Sequence, residues 1–273
     1  MRDVTARGVR MRVVEAGEGQ GPPLVLVHGF LSTHLEFDSV IDLLAQHFHV
    51  IAPDLPGSGD SEKPSPNRHP YGVESFAEAI ADLISAYGLG RAFVLGHGLG
   101  GAVGITLAAL HPELVQRLIL VAPLCYPFSA KTVFKLPLLP MFGSVYFKQF
   151  FGVRAFRAHF RRWVFSPEFP LPAEVEQNFQ AFNSPAGRES AYALLGAILD
   201  TRPTVARVTR IRRPTLVTWG REDRMFPAHH ALRLVREIPD ARLELFDTGH
   251  APHSERPSEF ARVVRHYCEG KRG

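Results

Sequence analysis

The chain has little cysteine. Only Cys125 and Cys268 occur in 273 residues, far apart and outside any metal-ligand spacing. That excludes a disulfide framework and suits free thiols in a reducing compartment. No run is long and apolar enough to span a bilayer, and Met1-Arg2-Asp3-Val4-Thr5 has none of the apolar character of a secretory signal. The expectation is a cytoplasmic protein with no integral membrane association. Charge of one sign is scarce too. A formal net charge of +4, without a basic patch or motif, does not point to nucleic acid. The pairs His47/His49 and His229/His230 lack a third ligand at a recognisable spacing, so neither a metal nor another cofactor is expected. Internal repeats and low-complexity tracts are absent.

What is present is ordinary globular composition, 45% hydrophobic and 21% charged, in a chain long enough to bury a sizeable core. Short β-branched runs alternate with longer helix-like stretches, the pattern of a parallel sheet covered on both faces. After an opening strand pair near Val9 to Ala16, strands are expected at Leu24–Val27, up to Ile51, at Ala92–Leu95, Leu118–Val121, Thr215–Thr218 and Leu243–Phe246. Helices are expected at about His34–Gln46, Val73–Tyr87, Leu99–His111, from Ala228, and from Pro257 to Tyr267.

Between the two halves, from about Pro123 to Arg202, strand-like alternation disappears. Short helices broken by Pro and Gly are expected there. This stretch is rich in phenylalanine (Phe134, Phe142, Phe147, Phe150, Phe151, Phe156, Phe160). Its basic residues Lys131, Lys135, Lys148, Arg154, Arg157, Arg161 and Arg162 meet no acid until Glu168. It reads as an insertion over one end of the sheet. Most of its aromatic and basic residues suit amphipathic helices, and the surplus phenylalanine suggests an apolar pocket for a small apolar or acyl-like molecule. A basic face on an anionic membrane surface is the weaker alternative.

Four segments carry chemistry. Gly96-His97-Gly98-Leu99-Gly100-Gly101 follows a strand and opens a helix, the setting of a G-x-S-x-G turn, with glycine at its tip. His28-Gly29-Phe30 follows an earlier strand. Trp219-Gly220-Arg221-Glu222-Asp223, with Pro227 four residues on, follows a late one. Gly249-His250, with Glu255 and Pro257 beyond, follows the last. Together with the loop Asp54-Leu55-Pro56-Gly57-Ser58-Gly59-Asp60-Ser61, these resemble the α/β-hydrolases over nearly the whole chain. The resemblance implies a mostly parallel eight-stranded sheet with helices on both faces and a helical cap. The core would comprise 1–122 and 203–273, and the cap 123–202. It also implies roles. Gly98 stands at the nucleophile position, Asp223 rather than Glu222 is the acid, His250 is the base, and the Phe30 and Leu99 amides form the oxyanion hole.

Gly98 leaves three readings open: natural loss of the nucleophile, its removal by design, or a tip that needs no side chain because His250 acts directly on water or substrate. Haloalkane dehalogenases and epoxide hydrolases share much of the pattern but need aspartate at the tip. The first hypothesis is therefore a hydrolase-family protein for small apolar ester-like substrates, nucleophile-deficient as written. Its rival is a non-catalytic protein holding an apolar ligand or a partner, in which Asp223 and His250 merely tie two loops together. Cys125 reads as a small core residue rather than a displaced nucleophile. Ser32 and Ser58 read as loop hydrogen-bonding groups, His28 as a brace for its own loop, and His97 as a packing or solvent-facing residue.

Overall fold

The computed structural model describes residues 1–129, 136–139 and 142–270. Lys131, Phe134 and Lys135, counted above in the insertion, lie outside the described residues. The eight strands are β1 (Arg2–Ala6), β2 (Val9–Ala16), β3 (Pro23–Val27), β4 (His49–Pro53), β5 (Ala92–His97), β6 (Val115–Val121), β7 (Thr215–Gly220) and β8 (Ala241–Phe246). They form one sheet in the order β1-β2-β4-β3-β5-β6-β7-β8. The pairs β1/β2 and β2/β4 are antiparallel and the other pairs parallel. The opening pair is wider than the sequence suggested, because the whole of Val9–Ala16 is one strand and Arg2–Ala6 is its partner.

The central strands read as unbroken apolar runs because both of their faces are covered. On one face Leu24, Leu26 and Leu95 pack with Val40 of helix α1 (Asp38–Ala45) and with Phe260. On the other, Val25, Val27 and Val94 meet Phe76 of α2 (Val73–Ala86) and Val103 of α3 (Leu99–Leu110). The edge strand β8 carries outward charges at Arg242 and Glu244, which discourage pairing with another chain.

From β3 the chain turns to β4 on one side and then crosses to β5 on the other. At such a switch point the loops after two adjacent parallel strands diverge and leave a crevice at their C-terminal ends. Here those loops begin with His28-Gly29-Phe30 and with Gly98. The topology alone thus brings the two segments together.

Between β6 and β7 lie α4 (Val153–His159), α5 (Glu174–Phe182), α6 (Pro185–Ile198) and α7 (Arg202–Val208). Helix α4 continues in a wider π turn, Phe160–Val164. The aromatic surplus is mostly spent inside this layer. Phe147 and Phe151 stack at 5.2 Å and 12°, Phe156 and Phe160 at 4.9 Å and 27°, while Phe142 and Phe150 are exposed. Two of the basic residues find acids from later helices: Arg157 pairs with Glu176 at 3.6 Å and Lys148 with Glu189 at 3.9 Å. Helices α8 (His229–Glu237) and α9 (Pro257–Cys268) complete the chain. Among the described residues no helix is long and apolar enough to cross a membrane.

Candidate active site

The turn after β5 needs glycines for a steric reason. A β-carbon on Gly96 would come within 2.1 Å of the Gly100 carbonyl oxygen, and one on Gly100 within 1.9 Å of the Val27 carbonyl oxygen. Both flanks must therefore be bare for the strand to fold straight into α3. Gly98 is different. It holds φ 53° and ψ −109°, a region costly for any other residue. Around it, however, a β-carbon would have a single neighbour within 4 Å, His250 Nε2 at 3.5 Å. The tip is anchored by its backbone: Gly98 N–H donates to the Val121 carbonyl, and its own carbonyl accepts from Leu124 N–H at 2.8 Å.

Opposite the tip, His250 Nδ1 lies 2.8 Å from Asp223 Oδ2. The other carboxylate oxygen accepts from the Met225 and Phe226 amides at 2.8 and 2.9 Å. Asp223 is thereby fixed, and its side chain is wholly buried. With Nδ1–H donating to the carboxylate, Nε2 is left as an acceptor facing the tip. Glu222, one residue away, is exposed. Of the two acids in this loop, the fold brings Asp223 to the histidine.

The histidine loop is held by Glu255, whose Oε1 accepts from Gly249 N–H at 2.9 Å and from Ser166 N–H at 3.1 Å. His250 N–H donates to the Val164 carbonyl at 2.6 Å. The loop is thus bonded directly to the segment between β6 and β7.

Phe30 and Leu99 both line the cleft that opens over Gly98. It encloses about 830 Å³ of empty space, open mouth included, and its walls are largely apolar, with Leu124, Phe128, Phe160, Phe165, Val175 and Phe226 among them. Polar groups are few. Asn178 accepts from the Thr33 hydroxyl at 2.7 Å and lies 3.4 Å from Ser32 Oγ. His159, on the cleft wall, is pushed down to about 4 by burial and by the neighbouring His250.

Sequence reasoning missed a buried cluster beside the turn. Glu36 Oε2 accepts from Gly29 N–H at 2.8 Å, and Oε1 meets His97 Nδ1 in a short contact. His97 Nε2 in turn donates to the His250 carbonyl at 3.1 Å. His97 is therefore buried rather than solvent-facing, and more than a packing residue: with Glu36 it ties the Gly29 loop to the His250 loop. Burial opposes a charge on His97, but Glu36 more than offsets it and holds the imidazole above its ordinary value. Burial likewise opposes the Glu36 charge, and His97 and His253 draw that carboxyl well below the usual range. His253 Nε2 is 3.4 Å from Glu36 Oε1, and its ring is fully buried. Donor atoms of Glu36, His97 and His253 all lie within 4.8 Å of one another, a grouping that could hold a metal ion. No local spacing joins the three, because they come from separate segments. The Glu36 oxygens already accept from Gly29 and His97, so we read the group as a hydrogen-bonded ion pair.

His28 contacts its own loop through Nδ1 and the Gly29 carbonyl at 2.8 Å, and its Nε2 accepts from Leu55 N–H at 3.0 Å. Ser32 lines the cleft. Ser58 N–H caps its turn on the Leu55 carbonyl. Cys125 is fully buried in the core, and burial raises its thiol far above the ordinary value.

A family model described as the alpha/beta hydrolase fold matches residues 22–257. The chain is 30% identical to an uncharacterized protein of Mycobacterium tuberculosis, over 98% of this chain and 83% of that one. It is 28% identical to a 2-hydroxymuconate semialdehyde hydrolase of Pseudomonas putida, over 97% and 93%. Among solved structures, an enol-lactonase from Burkholderia xenovorans superposes with a TM-score of 0.84 at 23% identity, covering 98% of this chain and all of that one. The strand order, the turn after β5 and the matched span leave one assignment: the chain belongs to the alpha/beta hydrolase family.

Proposed function

We propose that this protein hydrolyses small apolar ester-like substrates by general-base catalysis, without a covalent intermediate. His250 is the base, Asp223 orients it, and the Phe30 and Leu99 amides form the oxyanion hole. Residues 123–202 act as the cap over a core of 1–122 and 203–273. The observation that carries this reading is the pairing of His250 with Asp223, with the free Nε2 facing the bare tip at Gly98. A vestigial site has no need to hold an imidazole in the basic tautomer over an apolar cleft. Hydrolase-named relatives of similar length support the reaction class.

An acyl group enters the cleft with its carbonyl oxygen toward the Phe30 and Leu99 amides. His250 Nε2 takes a proton from water above Gly98 as the oxygen attacks the acyl carbon. Negative charge builds on the carbonyl oxygen, where the backbone donors are worth most. Collapse of the tetrahedral intermediate expels the alcohol, which regains the proton from His250. The expected setting is the cytoplasm.

The test is hydrolysis of short p-nitrophenyl esters by the chain as it stands and by His250→Ala. Loss of about 100-fold or more in the variant is expected for a general base. Equal rates would overturn the reading and leave the rival one, a protein that holds an apolar ligand without turning it over.

A further inference from the structure

We infer that Asn178, on helix α5 of the insertion, is the positioning residue for the Phe30 amide: it clamps the loop that carries this donor through Ser32 and Thr33. The inference rests on the general-base reading above and deepens it by naming what aims one half of the oxyanion hole.

The asparagine stands where helix patterning calls for an apolar side chain. Val175, Asn178, Phe179 and Phe182 share one face of α5, and all four are buried. Burying an amide on such a face is costly unless its hydrogen bonds are made. Both ends of Asn178 make them to one short stretch. Oδ1 accepts from the Thr33 hydroxyl at 2.7 Å, and Nδ2 donates to Ser32 Oγ at 3.4 Å. The Thr33 oxygen also accepts from Leu35 N–H at 3.2 Å, at the start of the 3-10 turn His34–Phe37. Ser32 and Thr33 are buried as well, so water is a poor substitute for these bonds.

The stretch needs such a clamp. Leu31 holds φ 58°, a left-handed conformation that is costly for a leucine. A residue keeps that conformation only where its surroundings over-determine it. Phe30 lies between two anchors. On one side Glu36 holds the Gly29 amide at 2.8 Å. On the other, beyond Leu31, Asn178 holds Ser32 and Thr33. Without the second anchor Leu31 can relax toward negative φ, and the Phe30 amide loses its aim. Phe30, Ser32 and Asn178 all line the cleft, so the clamp sits at the site itself. Asn178 acts through the loop and takes no proton.

The test compares the unaltered protein with Asn178→Leu, which is close in volume and removes both bonds, and with Thr33→Val and Thr33→Ser. Hydrolysis of p-nitrophenyl butyrate gives kcat and KM. Calorimetry with methyl butylphosphonate, whose anionic tetrahedral centre imitates the intermediate, reads the backbone donors without turnover, and urea midpoints report folding. In Asn178→Leu, kcat should fall at least about 10-fold with KM little changed, and the phosphonate Kd should rise by a similar factor. Thr33→Val should show part of the same loss and Thr33→Ser should keep the parent values. Combining Asn178→Leu with Thr33→Val should cost less than the sum of the two, because they break one bond. Should Asn178→Leu not fold, the two Thr33 variants decide. Parent kcat and phosphonate affinity in folded Asn178→Leu, or a rise in KM alone, would overturn the inference and leave the proposed function standing. An unaltered protein that binds the phosphonate but hydrolyses no ester would remove the proposed function, and the affinity of Asn178→Leu would then decide the inference alone. Neither hydrolysis nor binding would sink both.

Discussion

His250 Nε2 stands 3.5 Å from the point a β-carbon on Gly98 would occupy, with no other heavy atom within 4 Å of that point beyond the chain neighbours. The imidazole and the tip of the turn are in register although no side chain joins them. Asp223 fixes the His250 imidazole from behind, and Glu36 with His97 ties its loop to the loop of Phe30. The machinery around the tip is held by contacts that do not pass through residue 98.

Gly98→Ser should therefore arm the site. The new side chain points at Nε2, so p-nitrophenyl ester hydrolysis should rise and show an initial burst of p-nitrophenol equal to the protein present. A side chain at φ 53° should cost roughly 1–3 kcal/mol of stability, read in urea. A folded variant with no gain in rate would mean that the base or the backbone donors are misplaced.

Asp223→Asn should act through the tautomer. The amide oxygen can still accept from Met225 and Phe226, but the NH₂ group would then face His250 Nδ1 and require it to accept. The proton moves to Nε2, which can no longer serve as a base. We expect a kcat loss of about 10²–10⁴ with KM little changed, and an Nε2–H resonance by nitrogen NMR. A full-rate variant would remove Asp223 from the account.

How much of this was legible in the sequence depends on where the information sits. The strands were legible because β3, β5 and β6 are buried on both faces and read as apolar runs. The positions 98, 223 and 250 were legible because each follows a strand directly, so order along the chain maps onto position at one end of the sheet. Glu36 was not legible. It lies in a short 3-10 turn after β3, 61 positions from His97, and no local pattern joins the two. The phenylalanines of the insertion were visible as a surplus, but not their division. Phe160 lines the cleft, whereas Phe147, Phe151 and Phe156 pack against one another. Composition alone does not say which way a helix faces.

Glu36→Ala should be the most damaging change to the cluster. It leaves the Gly29 amide without its acceptor and His97 buried without its counter-ion, a loss on the order of 3–5 kcal/mol. Glu36→Gln keeps an acceptor for Gly29 and should cost less. Urea midpoints rank the two, and amide exchange at Gly29 should quicken in Glu36→Ala. Equal stability of both variants with the parent would show that the cluster does not hold the loops.

Acid should destabilise the fold through histidines held neutral. Burial, outweighing the help of Glu36, pushes His253 down to about 4. Unfolding restores a value near 6.5, so the unfolded chain binds the extra proton first. The stability due to neutral His253 is present above about pH 6.5 and is lost as pH falls toward 4, by up to about 3 kcal/mol. His253→Phe keeps an aromatic ring near Phe37 and Phe260, and should flatten the slope of urea stability against pH in that window. An unchanged slope would mean that His253 is charged in the fold.

The central claim is that the chain works without a covalent intermediate. It is tested most directly by the first turnover of p-nitrophenyl butyrate under stopped flow, with the intact protein mass recorded alongside. The account predicts p-nitrophenol release that is linear from the start, no acylated protein, and loss of the signal in His250→Ala. A burst matched by an added butyryl mass, or release that survives in His250→Ala, would contradict it.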